Sequence, residues 1–127
     1  MSYEYVIDSY AWVEYFRGSN EGKTAKEYIE NEENKNCATS SITIAKLSEK
    51  YKRENRNFDE DFSFIISKTK IVSLNAEIAL LAGQINFENK QKIKKWSMAD
   101  SIILATAKIH NAKVVTGDEH FRHSNAI

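Results

Sequence analysis

Apolar residues in this chain fall alternately into short extended runs and longer stretches at helical spacing. Residues 3–7, Tyr-Glu-Tyr-Val-Ile, alternate and then turn apolar, which predicts a strand. Residues 9–16 shift to helical spacing and stop at Gly18, which predicts a helix directly behind that strand. Residues 23–34 predict a mostly solvated helix with Ala25, Tyr28 and Ile29 on its inner side. A short strand follows at 36–38, then a helix at 42–54 that Thr39, Ser40 or Ser41 can cap, and another at 58–68 with Phe62, Ile65 and Ile66 inward. Residues 70–74 read as a strand, 76–87 and 98–111 as helices, and 113–116 as a last strand. This alternation predicts an α/β fold with a parallel sheet and helices on both faces, because a parallel return needs a crossover, usually a right-handed helical one.

Composition narrows the picture. The chain has 127 residues with no proline and four glycines, which favours long helices joined by polar turns. An apolar fraction of 42% supports one core, so residues 1–127 are expected to form a single domain. Eighteen basic side chains balance eighteen acidic ones, which removes whole-molecule attraction to nucleic acid or anionic lipid; polyanion binding must be local. No apolar stretch approaches the roughly 20 residues of a membrane helix, and the start lacks a signal-peptide layout, so a cytoplasmic protein without membrane contact is expected. Cys37, the one cysteine, reads as a small buried apolar residue.

The candidate chemistry lies in three aspartates at the ends of apolar runs far apart in sequence: Asp8, Asp100 and Asp118. Each has a structural explanation alone. Asp8 can cap the helix starting at Ser9, Ser97-Met-Ala-Asp100 resembles a capping box, and Asp118 follows Thr116-Gly117 in a turn. Together they say more, because strand ends in an open parallel sheet point their loops to one side. Carboxylates gathered there repel and need a cation to stay ionised together, and Mg²⁺ or Mn²⁺ suits that role while leaving positions for phosphate oxygens and water. Hydrolysis of a phosphodiester is the reaction such a site serves.

Asp8 with Ser9 behind it, the Thr39-Ser-Ser-Ile-Thr-Ile-Ala segment, Met98-Ala-Asp-Ser-Ile-Ile-Leu-Ala-Thr-Ala and Val115-Thr-Gly-Asp-Glu-His-Phe121 together resemble a PIN domain, and more narrowly the VapC-type ribonuclease toxins. The resemblance implies a three-layer α/β/α fold with a central, mostly parallel sheet of four to five strands, the last short or missing near residues 125–127. It also implies Mg²⁺- or Mn²⁺-dependent RNA endonuclease activity, a small antitoxin partner and a homodimer. By position, Asp8, Asp100 and Asp118 would be metal ligands and the Thr116 hydroxyl would support the last of them.

One position departs from the family. Where the third helix usually carries a glutamate two residues after Thr-Ile, this chain has Lys46. An ammonium among carboxylates would stand in for a cation and compete with metal, so weaker metal binding and reduced nuclease activity are expected. Glu49, about 4.5 Å further along the axis, compensates only if its side chain reaches back. A catalytically degenerate PIN domain that binds RNA or a partner without cutting is therefore the alternative. Lys94, Lys95 and Trp96 precede Asp100 and could hold single-stranded RNA, the lysines on phosphates and the indole on a base. The competing reading packs Trp96 on the core under a solvated loop. His120 and His123 have no cysteines or further histidine nearby to make a zinc site and read as surface residues.

Overall fold

The computed structural model describes residues 3–31 and 36–117. In chain order the elements are β1 (Tyr5–Ile7), α1 (Ser9–Arg17), a 3₁₀ turn (Asn20–Gly22), α2 (Lys23–Ile29), β2 (Cys37–Ser40), α3 (Ser41–Arg53), α4 (Asp59–Lys68), β3 (Lys70–Val72), α5 (Ala76–Lys90), α6 (Met98–Ile109) and β4 (Lys113–Val115). The strands lie in the order β3-β2-β1-β4 and every neighbouring pair is parallel. The α/β alternation expected from the sequence is thus borne out, in a four-stranded sheet. None of the described helices is long and apolar enough to cross a membrane.

Register sets where the strands stop. Val6 lies opposite both Ala38 and Val114, and Ile7 lies opposite Val115. The Asp8 N–H carries the ladder one step further by donating to the Val115 carbonyl at 3.2 Å. Successive side chains on a strand point to opposite faces, and the two cores follow that rule. Val6 and Val114 pack with Ile78, Trp96 and Ile103 under α5 and α6, whereas Ile7 and Val115 pack with Trp12, Leu47 and Ile65 under α1, α3 and α4.

Most strands and helices differ by one or two residues at an end from the predicted bounds, and three differences bear on the fold. The helix expected over 23–34 ends at Ile29, where Glu30 and Asn31 begin an acidic, asparagine-rich stretch that opposes the helix dipole; residues 32–35 lie outside the described residues. Strand β2 runs on to Ser40, which pairs with Val72 before its hydroxyl accepts the Ile42 N–H and opens α3. Helix α5 continues to Lys90. The place of a fifth strand, 125–127, lies outside the described residues.

A buried hydroxyl relay ties the first of these layers to the sheet. The Trp12 indole Nε1–H donates to Thr39 Oγ1 at 3.2 Å, Thr39 and Thr69 Oγ1 are 2.7 Å apart, and Thr69 Oγ1 donates to the Ile65 carbonyl at 3.0 Å. A hydroxyl has one proton. Thr69 gives its own to Ile65, so Thr39 must donate to Thr69, and Thr39 is then the acceptor that satisfies Trp12. The relay links α1, β2 and the junction of α4 with β3 with no polar atom left over. Replacing Thr39 by valine keeps the shape and strips the hydroxyl, leaving the Trp12 N–H unmet in a fully buried position. The expected loss is about 1–3 kcal/mol in urea denaturation followed by tryptophan fluorescence; an unshifted midpoint would show that the relay contributes nothing.

Candidate active site

Asp8 follows β1 with extended backbone, φ −87° and ψ 175°, and caps α1: its Oδ1 accepts the Ala11 N–H at 2.8 Å. Asp100 is the third residue of α6 and closes the capping box anticipated from the sequence. Its Oδ2 accepts the Ser97 N–H at 3.0 Å while its own N–H donates to Ser97 Oγ at 3.1 Å. Both carboxylates are buried, at 5% and 8% exposure. Each negative side chain also complements the positive end of its helix.

The topology carries them to one edge. Helix α6 passes through a tight turn at residues 110–112 into β4, so it runs opposite to the strands and begins at the side where they end. It packs against α3, β1 and β2. Asp8 leaves β1 on that same side, and Thr116 and Gly117 leave β4 there. Asp118 is the next residue and lies outside the described residues, as do His120 and His123. The support of Asp118 by the Thr116 hydroxyl therefore falls beyond what the structure describes.

Among the described residues, no three His, Cys, Asp or Glu side chains gather into a metal-binding cluster. The two buried carboxylates nonetheless fit a hard divalent cation in kind and number, since Mg²⁺ takes one or two carboxylates and keeps several waters. Thr43, near the start of α3, adds a buried hydroxyl with no hydrogen-bond partner at the same end of the helix layer. Nothing in the sequence pattern marks that hydroxyl, because its isolation is a product of packing alone.

Lys46 is placed differently from the expectation. Thr43, Leu47 and Tyr51 form the buried side of α3, and Lys46 stands on its exposed side, facing a groove shared with α1. It makes no ion pair with Asp8 or Asp100 and takes part in none of the ion pairs among the described residues. Among the described residues the ammonium therefore meets no carboxylate, and Asp118, the third acid of the expected set, lies outside them. Glu49 does not reach back either, since its Oε1 is engaged by Arg53 one turn onward.

The basic stretch before α6 divides in two. Lys94 and Lys95 are exposed, as a phosphate-contacting role requires. Trp96 is 1% exposed and packed in the core beneath α5 and α6, so the stacking of a base on its indole is corrected to a structural role. The indole N–H donates to Ser101 Oγ at 2.6 Å, and Ser101 donates to Asn86 Oδ1 at 3.1 Å. A large apolar ring with a single donor is best buried once that donor has a partner. An aromatic side chain does reach the edge, but from α1: Tyr10 is 39% exposed and its ring lies on Gly117 so closely that a Cβ there would come within 2.6 Å of Cε1. The available signal for Tyr10 was its place in the first turn of the helix that Asp8 caps. Cys37 is buried, and burial pushes its thiol up to about 11, which leaves it protonated and unreactive near neutral pH.

The chain is similar to several solved structures across almost its whole length. A toxin-antitoxin complex from Klebsiella pneumoniae shares 22% identity at a TM-score of 0.76, with 98% of this chain and 96% of that chain covered. DNA-bound VapBC from Salmonella typhimurium shares 21% identity at a TM-score of 0.77, covering 98% and 95%. Mycobacterium tuberculosis VapC20, described as a sarcin-ricin loop cleaving toxin, shares 13% identity at a TM-score of 0.76, covering 98% and 97%. At such identities the likeness is one of fold. No curated protein matches the sequence significantly. The PIN domain family model, however, matches residues 5–126, which take in the strand before Asp8, the start of α6 and the strand before Asp118. The chain belongs to the PIN domain family.

Proposed function

We propose that this protein is a metal-dependent RNA endonuclease, the toxin of a type II toxin–antitoxin pair, acting in the cytoplasm and held in check by a small antitoxin. The observation that carries this reading is the delivery of two buried carboxylates, Asp8 and Asp100, to one edge of a parallel sheet in a PIN domain. The toxin–antitoxin character of the similar complexes supports the partner, and the RNA-loop-cleaving neighbour supports the substrate. Asp8, Asp100 and Asp118 would hold Mg²⁺ or Mn²⁺, which when bound supplies a Lewis acid for phosphate oxygens and a more acidic water. The chain's own contribution is positional. The Ala11 N–H pins Asp8, and Ser97 pins Asp100, so both carboxylates are oriented before any substrate arrives. Leu80 and Phe87, at 69% and 72% exposure on α5, support a homodimer that would cover them.

Lys46 favours a second reading, a degenerate PIN domain that binds RNA or a partner without cutting. Incubation with a mixed RNA pool, with Mn²⁺ and with chelator, separates the two. Metal-dependent fragments are expected; a mobility shift without fragments would favour the binding module.

Three substitutions test the carboxylates and Lys46 separately. Asp8→Asn retains a capping oxygen, so stability should stay within about 0.5 kcal/mol, whereas Asp8→Ala should lose about 1 kcal/mol. Cleavage by Asp8→Asn should nevertheless fall about a hundredfold or more; full activity in a folded Asp8→Asn protein would remove Asp8 from the chemistry. Lys46→Glu should tighten Mn²⁺ binding by about tenfold in calorimetry, and unchanged affinity would place residue 46 away from the metal.

A further inference from the structure

Helices α1 and α3 each spring directly from a strand end, so they run side by side away from the carboxylate edge. Between them lies a cavity of about 400 Å³. Its lining carries Arg17, Lys46, Lys50 and Arg53 against Glu14 and Glu49, an excess of positive charge in a protein of zero net charge. The charges are not equivalent. Glu14 is paired with Arg17 and Glu49 with Arg53, while Lys50 reaches out of the lining to Glu54. Lys46 is the cation of this lining that stands outside every ion pair among the described residues. It sits at the end of the groove that opens toward Asp8, together with Ser9 and Tyr10. Tyr10 presents a partly exposed ring there, seated on the Gly117 backbone.

We propose that the α1–α3 groove seats single-stranded RNA beside the carboxylate edge, with a base stacked on Tyr10 and the adjoining phosphate on Lys46. The inference rests on the RNA-nuclease reading above and adds the two residues that receive the strand. An unpaired, exposed ammonium can meet a phosphate without first breaking an internal pair, and doing so releases condensed counterions. Stacking on an aromatic ring accepts any base, which suits a strand held for cutting more than one read for sequence. From Lys46 to Arg53 the groove wall extends about 10 Å, long enough to follow the backbone past the first phosphate. An acidic protein segment would satisfy the charge but would leave the aromatic plane at the carboxylate edge unused. On this account, the lysine that takes a carboxylate from the expected metal set gives the protein a phosphate contact in exchange.

The test is fluorescence anisotropy of a short, labelled, mixed-sequence single-stranded RNA with the full chain in chelator, across a salt series, so that binding is read without cleavage. Lys46→Gln should weaken binding and lower the slope of log affinity against log salt by about 0.7, and Lys46→Arg should restore both. Tyr10→Leu should weaken binding about fivefold or more, with Tyr10→Phe close to wild type; circular dichroism checks that each variant is folded. Equal affinity and slope in folded Lys46→Gln and Tyr10→Leu, with Mn²⁺-dependent cleavage intact, would overturn this inference alone. So would a Lys46→Gln protein that loses binding to polyglutamate and keeps RNA, which would assign the groove to an acidic protein segment. A wild-type chain that neither binds nor cuts RNA would overturn the nuclease reading along with it.

Discussion

In-register parallel pairing of β1 with β4 and β2 is the constraint from which the site follows. The strands are three or four residues long, yet Ile7 faces Val115 and Val6 faces Ala38, so the chain leaves the sheet at a common level on neighbouring strands. That register is held from both faces. A slip by one residue would move Val6 and Val114 from the α5–α6 core to the opposite one and send Ile7 and Val115 the other way. The hydrophobic cost of exchanging two packed cores is what keeps residues remote in sequence at the same edge.

The carboxylates at that edge are structural groups and, on the proposed reading, chemical ones as well. Each begins a helix and satisfies a backbone N–H that has no partner within the helix. Such a bond fixes the side-chain rotamer, so the atoms the proposed chemistry would use are immobilised by the same contact that starts the helix. Folding and the proposed function would then draw on one interaction, and a substitution that keeps the capping oxygen while removing the charge is the way to part them.

Much of this was legible in the sequence because it is local. The strand-to-helix step at Asp8, the Ser97–Asp100 box and the alternation of periods all lie within a few residues of the atoms that realise them. Features decided by distant partners were not legible. Trp96 follows a run of lysines and leaves stacking and core packing equally open in the sequence, and its donor is met by Ser101 and, through it, by Asn86 on the preceding helix. Tyr10 lies in a stretch that predicts only a helix; its partial exposure depends on a ring seated over Gly117, more than a hundred residues onward. The early end of α2 is an intermediate case, since the acidic stretch that stops it is visible but its weight against helix propensity is not.

The exposure of Lys46 bears on how this protein can change over generations. A solvent-facing side chain with no partner can reverse its charge at little expense to folding, and lysine and glutamate codons differ by a single base. The groove beside the carboxylate edge can thus alternate between inviting and repelling a polyanion by one mutational step, without passing through an unstable intermediate. If the proposed toxin reading holds, potency would be tuned in this way while the scaffold stays the same.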